Sequence, residues 1–199
     1  MLDKKSDITA EIGSRICHDL ISPIGAISNG IELLELSGAA QSPEMLLIAD
    51  SVRTANAKLR FMRIAFGDAT GANSAGASEI NDILSHNFAD NRFSVDWRMT
   101  NTLSRRDLKM CFLNLMCLER ILPYGGVITA TDSNAGWRFD TVGQDIKTED
   151  IVDYENQCFH SKNGSASVQY RLIQDMLTDT GQTLKFEQHE QGLSTFVTA

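Results

Sequence analysis

His18 is followed at once by Asp19 and, five residues on, by Pro23, in the run Ser14-Arg15-Ile16-Cys17-His18-Asp19-Leu20-Ile21-Ser22-Pro23. Imidazole titrates near neutrality, so a substantial share of it is a neutral nucleophile at cellular pH. A carboxylate beside the ring can accept its proton or fix its tautomer. An N-phosphorylated imidazole is in turn a high-energy donor, and phosphoryl transfer asks for little beyond positioning and charge stabilisation. An exposed His-Asp pair is commonly plain surface, and a proline within a helix is commonly only structural. Their occurrence together is what points to chemistry.

These residues need a helix to present them. Ile8, Ile12, Ile16, Leu20, Ile24, Ile27, Ile31 and Leu34 recur at spacings of three and four, the stripe of a long amphipathic helix. At about 100° per residue His18 stands roughly 170° from the centre of that stripe and faces water. Glu11, Arg15, Ser22, Gly25 and Asn29 share its face, and beyond the histidine the side chains are small enough for a partner to approach the backbone. Pro23 inside the helix costs about 3 kcal/mol or more unless something offsets it. Gly38 suits the helix end. Ser42-Pro43-Glu44 supplies an N-cap, a proline at the first helical position and an acid in the first turn. A second helix carries Ile48, Val52, Ala55, Leu59, Met62 and Phe66 on one face and ends at Gly67-Asp68. Two such helices pack antiparallel and leave apolar surface on the outside. A four-helix bundle in a homodimer would cover it; the alternative is a monomer in which the second half of the chain does so.

Residues 68–78 have small polar side chains and linker composition. The expected division is a hairpin over 1–67, a linker over 68–78 and a second domain over 79–199. In that domain Ile80, Ile83, Leu84 and Phe88 suggest a helix capped by Ser78. Phe93, Val95, Trp97 and Met99 alternate as a half-buried strand. Ser104 and Asp107 frame a variant capping box for a helix through Leu122, stopped by Pro123-Tyr124-Gly125-Gly126. Strands follow at 127–131 and 137–142, a helix over 168–177 ending at Gly181, and strands at 183–188 and 193–198 turned at Gln191-Gly192. The whole chain is therefore α+β: a helical hairpin followed by an α/β sandwich with helices on one face of the sheet.

Bulk properties narrow the function. The 199 residues, 42% hydrophobic and 22% charged, are ordinary globular composition. A net charge of −8 argues against nucleic acid or an anionic membrane surface as partner. The acid is concentrated late, with 7 Lys/Arg and 8 Asp/Glu in residues 1–67 against 11 and 18 in residues 68–199. Cys17, Cys111, Cys117 and Cys158 form no CxxC pair and read as reduced cytoplasmic thiols, and no apolar run is long enough to span a membrane. His86, His160 and His189 read as surface or capping residues without acidic or thiol neighbours at ligand spacing, so no metal is expected. Trp97 and Trp137 read as core residues of the sheet.

The segment around His18 resembles the phosphoacceptor box of two-component histidine kinases. The longer run His18-Asp19-Leu20-Ile21-Ser22-Pro23-Ile24-Gly25-Ala26-Ile27-Ser28-Asn29-Gly30 is more similar still to the ChpT family of alphaproteobacterial histidine phosphotransferases, and the order of elements agrees along the chain. The second half resembles the ATP-binding domain of those kinases in order but not in chemistry. Phe112-Leu113-Asn114-Leu115 matches the start of the magnesium-binding box, yet the asparagine expected four residues on is Leu118. The adenine-reading glycine loop is replaced by Val142-Gly143-Gln144-Asp145, and the second glycine-rich loop is reduced to Asn163-Gly164-Ser165-Ala166-Ser167.

The resemblance implies a dimeric four-helix bundle with a degenerate ATPase-like domain acting as a docking platform. His18 is then the catalytic residue, Asp19 its proton acceptor or orienter, and Arg15, Ser22, Gly25 and Asn29 belong to the partner-binding surface. It implies no cofactor of its own, the magnesium coming from the partner. The donor would resemble the receiver domain of the hybrid kinase CckA, and the acceptors would resemble CtrA and CpdR. Four readings follow: a phosphotransferase between receiver aspartates, an ATP-dependent kinase with a divergent nucleotide site, a non-catalytic dimeric adaptor, and a receiver phosphatase using Ser22 or Asn29 to position water.

Overall fold

A computed structural model describes residues 3–38, 42–69, 75–88, 92–133, 136–147, 168–190 and 192–198, with side chains from Ile12 onward. Helix α1 runs Asp3–Leu36 and continues through Pro23. Because proline has no N–H, the carbonyl of Asp19, four residues back, loses its ordinary helical donor. Gly38 takes φ 75°, as the chain turns out of the helix. Helix α2 covers Pro43–Phe66, and the Ser42 hydroxyl accepts the Met45 N–H at 3.3 Å, the cap its sequence prescribes.

The seam between the two helices is made by the side of α1 bearing Cys17, Ile21, Ile24 and Ile31, of which Cys17 and Ile31 are buried. Ile24 and Ile31 of the periodic stripe reach this seam, but most of the stripe points elsewhere. Ile12, Ile16, Leu20, Ile27 and Leu34 are exposed, as are Ile48 and Met62 of α2. One lateral face of the hairpin is therefore apolar and uncovered by the described residues.

Beyond the hairpin lie α3 (Ala77–Asn87), β1 (Phe93–Trp97), α4 (Arg105–Ile121), β2 (Gly126–Ser133), β3 (Gly136–Gly143), α5 (Val168–Thr180), β4 (Thr183–His189) and β5 (Gly192–Thr198). The sheet order is β1-β2-β3-β5-β4, with β1 parallel to β2 and the other neighbours antiparallel. The parallel pair needs a crossover, and α4 is that crossover. The alternating strand seen in the sequence is confirmed in its anchors, Phe93, Trp97 and Met99 all being buried. The capping box of α4 also forms: the Ser104 hydroxyl accepts the Asp107 N–H at 3.1 Å and donates to its carboxylate at 2.6 Å. Trp97 and Trp137 are buried in the sheet, as expected.

Two expectations are corrected. Helix α3 begins at Ala77 behind Gly76, which offers no side-chain cap, so Ser78 lies within the first turn and caps nothing. His86 does have an acidic neighbour at helical spacing, because Asp82 one turn earlier lies 3.4 Å from its Nδ1. Cys158, His160, the loop 163–167 and Gln191 lie outside the described residues.

The hairpin and the second domain share one core. Phe61 of α2 is buried, its ring 4.7 Å from Phe112 of α4 and 5.9 Å from Phe88 behind α3. Ala65 one turn later is fully buried in the same cluster, with Ile83, Leu115, Phe139 and Val197. On the rim of this contact Arg60 pairs with Glu79 at 3.3 Å and with Asp82. The lower half of α2 is thus a structural member of the second domain. Phe61→Ala should cost about 3–5 kcal/mol. In urea titrations followed by helical signal and by Trp fluorescence, both probes should report the loss together, because no boundary in the core separates hairpin from sandwich.

Candidate active site

The rotation of α1 sets the site. Cys17 is pressed against α2, burial pushing its thiol pKa up while Arg63 opposes the shift. One residue on, 100° around the helix, His18 is carried out to solvent with its side chain 81% exposed. Its Nδ1 lies 3.2 Å from Asp19 Oδ1, and the other oxygen of Asp19 accepts from Arg15 Nε at 2.8 Å. An ionised carboxylate only accepts, so the contact requires the proton on Nδ1 and leaves the lone pair on Nε2. The His18 ring and the Arg15 guanidinium hold the Asp19 carboxyl below its usual range. Because the folded value is the lower one, the contribution of this trio is present above the ordinary carboxylate range and is lost as pH falls through the depressed value.

The other residues singled out on this face are placed as the periodicity requires. Ser22 and Asn29 are exposed, and a Cβ added at Gly25 would meet no heavy atom within 4 Å. Above His18 the helix therefore offers a strip of low relief. The Glu11 side chain lies outside the described residues.

In the second domain the residues matching the nucleotide-binding box face inward. Asn114 is fully buried and donates from Nδ2 to Thr195 Oγ1 at 3.0 Å, tying α4 to β5. Leu118, in the place of the second asparagine, is fully buried in the core. Gly143 closes β3 where a Cβ would lie 2.7 Å from Leu122 and 2.8 Å from the Gly125 carbonyl, so its small size serves packing. Among the described residues no group of three or more His, Cys, Asp or Glu is placed to hold a metal ion.

Sequence reasoning passed over one buried cation. Lys109 is 7% exposed and donates from Nζ to the Gly67 carbonyl at 2.7 Å, at the foot of the helix pair that carries His18. A signal for it existed. From Leu108 to Leu115 the helix reads Leu-Lys-Met-Cys-Phe-Leu-Asn-Leu, and polar residues in a stretch apolar all round need buried partners.

Residues 77–192 match the model of the histidine phosphotransferase C-terminal domain. Protein phosphotransferase ChpT of Brucella abortus (strain 2308) is 38% identical over 125 residues, an alignment covering 60% of this chain and 58% of that protein. A solved bacterial phosphotransferase superposes with a TM-score of 0.65 at 28% identity, over 92% of each chain.

The tautomer can be read directly. In long-range ¹H–¹⁵N spectra at a pH where the ring is neutral, His18 should show its proton on Nδ1. Asp19→Asn should shift the population toward the Nε2–H form, because an amide no longer demands a donor from the ring.

Proposed function

The chain belongs to the histidine phosphotransferase family defined by that C-terminal domain, and from this membership we propose that His18 relays a phosphoryl group between receiver-domain aspartates. The observation that carries the reading is the exposed imidazole whose Nδ1 is held by Asp19. In the first step the Nε2 lone pair attacks the phosphorus of a receiver's aspartyl phosphate. The N–P bond forms as the acyl P–O bond breaks, and the aspartate leaves with the electron pair. The ring becomes cationic while its Nδ1–H stays on Asp19, so the adjacent carboxylate stabilises the charge as it develops. The second step reverses these changes onto another receiver. The divalent cation that neutralises the phosphoryl oxygens belongs to the receiver, so this chain needs no cofactor of its own.

The strip of Ser22, Gly25 and Asn29 beyond His18, with Arg15 before it, is the surface on which the receiver docks. The donor and acceptors implied by the family resemblance are receivers like those of CckA, CtrA and CpdR. The partners are proteins, with neither nucleic acid nor membrane, in keeping with the acidic net charge. No described helix is long and apolar enough to cross a membrane, and a cytoplasmic location fits a relay between receivers. A Leu at 118 and an Asn114 committed to Thr195 argue against autophosphorylation from ATP, so the chain is read as a relay intermediate and not an autokinase.

The exposed face of Ile12, Ile16, Leu20, Ile27, Ile48 and Met62 supports a homodimeric four-helix bundle, in which the histidines point away from the shared interior. Charged residues there should abolish the pairing: Ile16→Glu with Leu20→Glu should sediment at the 22.0 kDa chain mass and the wild type at twice that value.

Mixing the protein with a phosphorylated receiver domain tests the relay. Wild type should carry transient label and His18→Ala none, and neither should take label from ATP and magnesium. Label from ATP would revive the kinase reading. A His18→Ala variant that still supports transfer from donor to acceptor would leave only an adaptor.

A further inference from the structure

Three segments meet one helical turn below His18. On α1, a Cβ at Gly13 would stand 3.0 Å from the Phe66 carbonyl, so the absence of a side chain lets this turn close onto the end of α2. Its neighbour Ser14, four residues before His18, accepts the Asp68 N–H on its hydroxyl at 3.0 Å. Between Phe66 and Asp68 lies Gly67, where α2 stops and the backbone turns extended, and whose carbonyl accepts from Lys109 Nζ at 2.7 Å. A Cβ at Gly67 would lie 2.2 Å from the Arg63 carbonyl, so only glycine gives this abrupt exit.

Lys109 is an unusual choice for that spot. It is the only cation among the buried residues of α4, and burial pushes its amine pKa down while the nearby Asp68 opposes the shift. A lysine is costly to bury unless its charge is answered. Here the answer is a helix C-terminus, where unpaired carbonyls and the negative end of the dipole favour a cation. Packing alone would be served as well by methionine. What methionine cannot supply is a directional bond from the rigid α4 to the junction that also holds α1.

We propose that Lys109 is a positioning residue for phosphotransfer: through the Gly67 carbonyl and the Asp68–Ser14 bond it clasps the C-terminal domain to the turn of α1 beneath His18. A receiver then meets histidine and domain as one rigid surface. The proposal rests on the relay reading above. Without the clasp, Phe61 still anchors α2 in the core, so the domain stays folded, but the junction at residues 67–69 no longer holds α1, which can shift against α2 and the domain. The receiver must then order the two parts as it docks, which weakens docking and leaves the chemistry at His18 unchanged.

The test compares wild type with Lys109→Met and Ser14→Ala, which cut the clasp at opposite ends. Phosphoramidate, a small donor that needs no docking surface, should label His18 at the same rate in all three. With a phosphorylated receiver as donor, KM should rise about 10-fold in Lys109→Met, within the range usual for coupling between sites, with kcat within about 2-fold. Ser14→Ala should shift KM the same way by a smaller factor. Spin labels at Glu32→Cys on α1 and Glu187→Cys on β4, in a Cys158→Ser background diluted with excess unlabelled chain so that each dimer carries at most one labelled protomer, should give one narrow distance in wild type and a broad distribution in Lys109→Met. An unchanged KM in both variants, or an unchanged distance distribution, overturns the proposal. So does phosphoramidate labelling that falls in parallel with transfer, since the residue would then act on the ring itself. If Lys109→Met fails to fold, Ser14→Ala carries both measurements. A wild type that takes phosphoramidate label but none from the receiver would instead overturn the relay reading, and the distance measurement would still decide the clasp.

Discussion

The angular setting of α1 against α2 governs what the chain can do. A helix offers each residue a fixed direction, and the direction of His18 follows once Cys17, Ile21 and Ile31 are taken into the seam. Rotating the helix by one residue would turn the imidazole toward the interior and bring Asp19 outward in its place. The seam is held at its foot by Gly13, whose missing side chain permits close approach to Phe66. Small residues near the histidine thus have two separate uses, packing below it and access above it.

Helix α4 spends its buried polar groups on the fold itself. Its buried polar side chains are committed to structure, Lys109 to the end of α2 and Asn114 to β5, while Ser104 and Asp107 close the first turn. A side chain that donates a buried hydrogen bond to its own domain cannot be withdrawn to serve a ligand without leaving a partner unsatisfied, at about 1–3 kcal/mol. For Asn114 the structure says where the amide has gone, to Thr195 on β5.

The joining of the two halves has a mechanical consequence. Phe61 and Ala65 extend the sandwich core into α2, so the domain does not hang from the hairpin on a flexible tether. The ion pairs of Arg60 with Glu79 and Asp82 flank the same contact and are partly solvated, so they contribute little to its strength; their use is orientation. Burial of aromatic surface supplies the strength and the polar contacts supply the angle.

Much of this was legible along the chain. Period-three-and-four spacing placed both hairpin helices, Ser42 and Ser104 marked the starts of α2 and α4, alternation found Phe93–Trp97, and the strands near 127, 137, 183 and 193 fell where turn residues left them. His18 and its outward direction were also readable, since a helix converts sequence spacing into angle without outside help. Local signals of this kind depend only on neighbours within a turn or a strand. The stripe of α1 was readable as apolar, but that most of it would lie outside the seam was not, because which face a helix gives to which neighbour depends on residues far away in sequence. The same holds for Lys109, 42 residues from Gly67, and for Asn114, 81 from Thr195. Sequence thus determined the elements and the exposed histidine, whereas only tertiary packing decided where the buried polar groups bond, since those bonds join segments that no local pattern links.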